Sequence, residues 1–372
     1  MSRASGGHPV LGNGTPEQVH LTWGDDPATS VVVSWASPGR AVRPRARIGQ
    51  RVILARERQF TDATSGKAAW AYHATIDGLR PGAAYGYAVT ADNDATATDP
   101  FTSTFRTAPD GRAAFWFTAS GDLAGEHSQL AATAASTAGA VESFQPLFHL
   151  LNGGLCDATP AAWRDLGERT QFSAASRPWM PVPGRYRPGD NPRGLAPYLA
   201  RYALPADGSP GAGGRWYSFR VGAVALVCLD GAESVSGMQA HWLEQTLARA
   251  RGDSSVDWII AALHEPAWST PASGEQWLSL FGRHEVDLVL TGHGTGDRRS
   301  AVSRRTVHLA LGSGIATFHV SPAAGEHDEP AIAVACYRTT DNATTTAASD
   351  DLTRFDQFTL AHPRSNHRRL PA

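Results

Sequence analysis

Two hydrophobic periods divide the chain. Up to about residue 108, apolar and polar positions alternate over short runs: Val19-His20-Leu21-Thr22-Trp23, Ser30-Val31-Val32-Val33-Ser34-Trp35 and Tyr85-Gly86-Tyr87-Ala88-Val89. Period-two alternation broken by turn residues is the mark of strands with one buried face, and it predicts a small all-β sandwich. Trp23, Trp35 and Trp70 are its candidate core aromatics, because tryptophans in sandwiches normally face inward. A carbohydrate-binding face would require the same three rings on the surface.

After the turn-rich Thr107-Ala108-Pro109-Asp110-Gly111 the pattern changes. Continuous apolar runs now alternate with helical stretches. The runs are Phe115-Trp116-Phe117-Thr118, Leu147-Phe148-His149-Leu150-Leu151, Val224-Ala225-Leu226-Val227-Cys228-Leu229, Trp258-Ile259-Ile260-Ala261-Ala262, Val286-Asp287-Leu288-Val289-Leu290 and Val307-His308-Leu309-Ala310-Leu311. Helices are predicted over 126–136, 160–172 and 238–251, the last with Ala240, Leu243, Leu247 and Ala250 on one face. Strands apolar on both faces belong to covered sheets, so this half predicts a layered α/β domain, a sheet sandwich flanked by helices. The expected organisation is a disordered N-terminus over 1–15, the β-sandwich over 16–108, the α/β domain over 112–362 and a tail over 363–372. Residues 185–197 and 205–214 read as long loops.

Composition narrows the function classes. A hydrophobic fraction of 42% and a formal net charge of −2 give no electrostatic reason to expect nucleic acid or a membrane as partner. Residues 1–14 carry no apolar run of the kind a secretory signal needs, and no later stretch reaches the length of a membrane span. A cytoplasmic protein is expected. Cys156, Cys228 and Cys336 are odd in number and widely spread, which fits reduced, buried thiols better than a disulfide framework. Lys67 is the single lysine, so Schiff-base chemistry is not expected.

Five short segments end predicted strands: Gly121-Asp122, Gly153-Gly154-Leu155-Cys156-Asp157, Gly184-Arg185-Tyr186-Arg187, His264-Glu265 and Gly292-His293-Gly294-Thr295. Ligands of α/β sheets gather at the carboxyl ends of strands, where these lie. In order and spacing the segments resemble the bacterial purple acid phosphatases, two-domain members of the calcineurin-like metallophosphoesterases. Pro16-Glu17-Gln18-Val19-His20-Leu21-Thr22-Trp23-Gly24 is similar to the opening of that family's N-terminal domain, and Asp356-Gln357-Phe358-Thr359-Leu360 to its C-terminal end. The resemblance spans nearly the whole chain. Within the sandwich, Leu79-Arg80-Pro81-Gly82-Ala83-Ala84-Tyr85-Gly86-Tyr87 resembles the fibronectin type III pattern, in which a tyrosine hydrogen-bonds back to the backbone as a corner.

The resemblance implies a two-metal phosphoesterase in which seven side chains hold a ferric and a divalent ion that supply hydroxide and clamp phosphate. Carried over position by position, Asp122, His264 and His293 match metal ligands. Gly154 stands where the bridging aspartate would be, Asp157 where the colour-giving tyrosine would be, Arg185 where the asparagine would be, and Thr295 replaces the second histidine of the last motif. Without the bridging carboxylate nothing offsets the repulsion of two cations, and Arg185 adds a fixed positive charge. Arg185 and Arg187 beside Asp122 and Asp157 could neutralise the pocket and hold a phosphate, sulfate or carboxylate. Plainer roles exist too: Asp122 and Asp157 as helix starts, the arginines in surface ion pairs, and the histidines in strand-end packing. Glu265, adjacent to His264, points to the other side of the strand.

The leading expectation is therefore a pseudoenzyme that has lost the dinuclear centre and binds an anionic or small-molecule ligand. No cofactor is expected, or at most one divalent metal ion. Two alternatives stay open: a metal-independent acid/base enzyme of a cytoplasmic biosynthetic pathway using His264, His293 and Asp157, and a mononuclear hydrolase using His264, His293 and an aspartate.

Overall fold

The computed structural model describes residues 14–61, 68–93, 96–121, 123, 127–153, 160–184, 195–207, 213–232, 237–265, 271–293, 298–301, 305–322, 329–339 and 352–361. The period-two segment forms β1 (Glu17–Thr22), β2 (Val31–Ser37), β3 (Val42–Ile48), β4 (Arg51–Leu54), β5 (Arg56–Thr61), β6 (Ala68–Ile76), β7 (Ala84–Asn93), β8 (Thr96–Ala97) and β9 (Phe101–Arg106). They build two antiparallel sheets, β1-β2-β6-β5 and β4-β3-β7-β8, with β9 on β7. Trp23 and Trp35 lie in the core at 0% and 1% exposure, and Trp70 packs at its margin. The corner is present as well: the amide of Arg80 donates to the Tyr85 hydroxyl at 2.7 Å.

Beyond the break come β10 (Phe115–Ser120), α1 (His127–Phe144), β11 (His149–Asn152), α2 (Pro160–Ala174), β12 (Trp179–Val182), α3 (Ala196–Arg201), β13 (Tyr217–Val221), β14 (Val224–Cys228), α4 (Met238–Gly252), β15 (Trp258–Leu263), α5 (Pro271–Arg283), β16 (Leu288–Thr291), β17 (Arg298–Ala301), β18 (Val307–Ala310), β19 (Ile315–Ser321), β20 (Ala331–Thr339) and β21 (Leu352–Ala361). They form two six-stranded mixed sheets, β12-β11-β10-β19-β20-β21 and β13-β14-β15-β16-β18-β17. Phe117, Phe148, Phe219, Ile260, Leu290 and Phe318 fill the space between the sheets, and helices cover the outer faces. β15 shows why its sequence is apolar throughout: Trp258, Ile260 and Ala262 face the other sheet, while Ile259, Ala261 and Leu263 face the helical layer with Trp242 and Phe281. β16 starts at Leu288 rather than 286, and the Asp287 carboxylate before it accepts from the Ile259 amide and from Arg251, both within 2.9 Å.

The sandwich is joined to these sheets by packing and by polar capping. Trp23 lies against Phe148 and Phe219, one ring from each six-stranded sheet, at centroid distances of 4.9 and 5.9 Å. The carbonyls at the end of α3 have no partner within their own helix. Sandwich side chains supply donors: Arg58 to Leu199 at 2.7 Å, His73 to Ala200 at 2.9 Å and Thr22 to Ala203 at 2.6 Å, with the His20 ring 3.0 Å from the Arg201 carbonyl. Cys228 and Cys336 are buried free thiols, and burial pushes the Cys228 thiol up to about 12. Cys156 lies outside the described residues.

Two predictions follow from this packing. Trp23→Ala should cost about 3–5 kcal/mol in urea unfolding, because the cavity opens where three sheets meet. The second concerns acid. His73, His149 and His308 are each at most 6% exposed, and burial lowers their pKa values from 6.5 to about 3, about 3 and about 4. Hydroxyl partners hold the rings neutral, Thr118 and Ser120 on His149 and Thr291 and Ser300 on His308. The unfolded chain takes up protons below about pH 6.5 that the folded chain refuses, so stability is complete above that value and is lost as pH falls toward 4. Unfolding at pH 5.0 should show a loss on the order of 2 kcal/mol per ring relative to pH 7.5. A flat profile between those pH values would contradict the buried neutral rings.

Candidate functional centre

The ends of β10, β11, β15 and β16 converge where the two six-stranded sheets meet, and backbone contacts fix their approach. A Cβ on Gly292 would stand 1.7 Å from the Asn152 carbonyl oxygen, and one on Gly121 would stand 2.2 Å from that of Gly312. Only glycine fits such contacts. Gly153 has φ +77°, and a Cβ there would lie 2.4 Å from the His264 ring. The carbonyl of His264 accepts from the amides of Gly292 and His293 at 3.0 and 2.7 Å. A Cβ on Gly121 would also stand 2.6 Å from the Gly292 carbonyl oxygen, so four of the five strand-end segments are in direct contact.

This frame brings His264 and His293 together, with ring centroids 5.5 Å apart. Two imidazoles on one ion span roughly 6 Å, so the pair can converge on a shared cation or anion. His264 is 5% exposed, whereas His293 faces solvent. The Nδ1–H of His264 donates to the Asn152 carbonyl at 3.1 Å, which leaves Nε2 as the acceptor nitrogen. That tautomer suits either a metal ligand or a general base. Asn152 is itself fully buried and its amide donates to the Ser120 carbonyl at 3.0 Å.

Asp122, Asp157, Arg185 and Arg187 lie outside the described residues, as do Gly154 and Thr295. Among the described residues no three of His, Cys, Asp and Glu gather as a metal-holding group. Glu265, at the end of the same strand as His264, is half-buried, with its backbone 3.7 Å from a Cβ at Gly231.

Two features of this end of the sheets escaped the sequence reading. Asp230, fully buried just past β14, accepts from Arg215 at 2.9 and 3.0 Å, a fixed ion pair beside the His264-Glu265 segment. An acid two residues beyond an apolar strand was its available signal. The carbonyl of Pro181, in the strand leading to Gly184, accepts from both Tyr198 and Tyr217 hydroxyls at 2.9 Å. Nothing in local sequence pairs those tyrosines with that carbonyl.

Comparison with known proteins gives a consistent likeness. Residues 16–107 match the family described as the purple acid phosphatase N-terminal domain. An uncharacterised protein of Mycobacterium tuberculosis is 33% identical over 84% of this chain and 71% of its own length. Among plant proteins, a phosphoenolpyruvate phosphatase of Allium cepa is 25% identical over 75% of the chain, and a purple acid phosphatase of Glycine max is 24% identical over 76%. The chain spans 62% and 65% of those two plant relatives. The solved purple acid phosphatase from yellow lupin (Lupinus luteus) seeds superposes with TM-score 0.74 at 14% identity, covering 95% of this chain and 75% of that one. The structure of PhoD superposes with TM-score 0.60 at 12% identity, covering 92% and 90%.

The glycine contacts are testable without assuming any chemistry. Gly292→Ala should cost more than about 3 kcal/mol or prevent folding, since a carbonyl cannot yield as a flexible side chain can. Gly282→Ala, in α5 with nothing within 4 Å of its Cβ, should instead gain up to about 1 kcal/mol. Equal effects in thermal unfolding would show that the strand ends do not meet as described.

Proposed function

Because the chain belongs to the purple acid phosphatase-like metallophosphoesterases, we infer that it keeps their scaffold as a pseudoenzyme without the dinuclear centre, and that its strand-end pocket binds a small anion. The observation carrying this reading is the donor set at the strand ends. On the family's pattern Gly154 offers no side-chain atom where a carboxylate would bridge the metals, Arg185 contributes a cation, and Thr295 replaces an imidazole. Two adjacent cations repel by several kcal/mol even at an effective dielectric near 20, and a bridging carboxylate is what offsets this. The residues present therefore do not fit a two-metal centre, and no hydrolytic step is routed through one.

In this reading Arg185, with Arg187, takes over the charge role of the metals and balances Asp122 and Asp157. A guanidinium presents fixed donors that match a phosphate or carboxylate edge. A contact from His264 to the anion would require a proton on Nε2 as well as on Nδ1, which makes the ring an imidazolium donor, and His293 would contribute from the solvent side. The buried reduced thiols suit a cytoplasmic setting. No helix among the described residues is long and apolar enough to cross a membrane.

One observation favours a second reading, a metal-independent acid/base enzyme. The fixed Nδ1–H bond of His264 to Asn152 is the orientation a general base needs, and His293 lies close enough to share a proton through a bound molecule. Asp157 would complete the set.

Metal analysis of the purified chain should find well below one iron, zinc or manganese per molecule, and p-nitrophenyl phosphate should not turn over with or without added metals. Inorganic phosphate should bind in calorimetry, and Arg185→Met should weaken it at least about tenfold. Two metals per chain with metal-stimulated turnover would overturn the proposal. Phosphate binding unchanged in Arg185→Met would remove the arginine from it.

A further inference from the structure

A second cavity lies at the opposite ends of the same strands. It is a cleft of about 540 Å³ between the sandwich and the first six-stranded sheet, within the roughly 300–1,000 Å³ of small-molecule sites, which favour such junctions. Phe115 and Trp116 at the head of β10, Leu147 before β11 and Arg177 before β12 form one side, and Arg106 at the end of β9 stands on the other. The histidine pair lies beyond the far ends of these strands, on the order of 20 Å away along β10.

Trp116 determines what the cleft can hold. Its side chain is 41% exposed, whereas the core tryptophans Trp23, Trp35 and Trp242 are at most 5% exposed. The indole N–H donates to the Gln145 carbonyl at 2.8 Å, and His319 packs against the ring at 4.6 Å with an interplanar angle of 87°. With its plane held and its one polar atom already committed, the indole offers a ligand only its π surface. A proline-rich peptide, which such grooves bind through a tryptophan N–H, is therefore a poor fit.

Charge narrows the ligand further. Arg177 is 9% exposed and donates to both Glu142 oxygens at 2.8 and 2.9 Å and to the Pro146 carbonyl at 2.8 Å, so this pair is neutral. Arg106 is exposed and donates through one nitrogen to the Gly82 carbonyl at 2.6 Å. Its remaining N–H groups have no acceptor among the described residues. A cation stacked on the indole would meet this guanidinium, whereas a flat anion satisfies both walls. We propose that the cleft is a binding site for a small planar aromatic carboxylate, with its ring on Trp116 and its acid group on Arg106. The site is separate from the strand-end pocket and does not depend on the reading of that pocket.

The test uses the full chain, calorimetry, and two probes of equal shape, 2-naphthoate and uncharged 2-naphthamide. Wild-type protein should bind naphthoate saturably and at least about tenfold more tightly than the amide. Arg106→Gln should bring naphthoate down to the amide's affinity while leaving the amide unchanged. Trp116→Ala should weaken both probes at least about tenfold. If Trp116→Ala fails to fold, Trp116→Leu removes the π surface while keeping the apolar cover. No saturable naphthoate binding up to about 10 mM, equal affinity for the two probes, or binding that survives loss of the indole would each overturn the proposal.

Discussion

The close approach of main-chain atoms at the strand ends is the constraint on which the rest of this molecule depends. Two six-stranded sheets can face each other about 10 Å apart through side chains, but at Gly292, against the Asn152 carbonyl, there is no room even for a Cβ. The sheets are pinched together at that end. His264 occupies the space left by Gly153, its carbonyl is shared by two amides of the next strand's loop, and its ring is oriented by the Asn152 carbonyl. The histidine pair is a consequence of how the backbones close, so the frame can persist when the residues on the intervening loops change. A scaffold of this kind separates fold from chemistry: the glycines hold the geometry, and the loop side chains decide what is done with it.

The sandwich is part of the same mechanical unit. A six-residue helix such as α3 has little stability of its own, and its terminal carbonyls would be stranded without partners. Arg58, His73 and Thr22 satisfy them from the sandwich, while Tyr198, on the same helix, donates to the Pro181 carbonyl. The segment between that strand and that helix contains Arg185 and Arg187. Both of its ends are therefore anchored, one by the sheet and one by the N-terminal sandwich. Trp23, lodged between Phe148 and Phe219, adds apolar cohesion to this anchoring and resists hinge motion between the two parts.

Much of this was legible in the sequence, for physical reasons that differ by residue. Periodicity distinguished the half-covered strands of the sandwich from the doubly covered β15, because burial on one or two faces writes itself directly into hydrophobicity. The corner at Tyr85 was readable because its partner, Arg80, is five residues away. His264 and His293 were readable because each follows an apolar strand. What sequence could not give were pairings set by tertiary closure. Asn152 as the acceptor that orients His264 is 112 residues distant, and Trp23 serves the junction with both later sheets as well as its own core. The Arg215 and Asp230 pair was missed because an arginine in a Gly-rich stretch and an acid after a strand carry no mark of each other until the fold brings them within 2.9 Å.

Electrostatics supplies the link between this backbone frame and the proposed function. Several carboxylates facing one another are stable only with a compensating cation, and a metal or a guanidinium can both meet that need. They differ in consequence. A metal lowers the pKa of bound water and so creates a nucleophile, whereas a guanidinium keeps its proton throughout the accessible pH range and can only hold and orient an anion. Exchanging one for the other would retain the charge balance and the folded pocket while removing the source of hydroxide. The buried histidines bear on the fold rather than on that exchange. His73, His149 and His308 make the fold more stable near neutral pH than in acid, where their protonation favours the unfolded chain. That acid sensitivity belongs to the fold and is independent of whether the strand-end pocket holds a metal or a guanidinium.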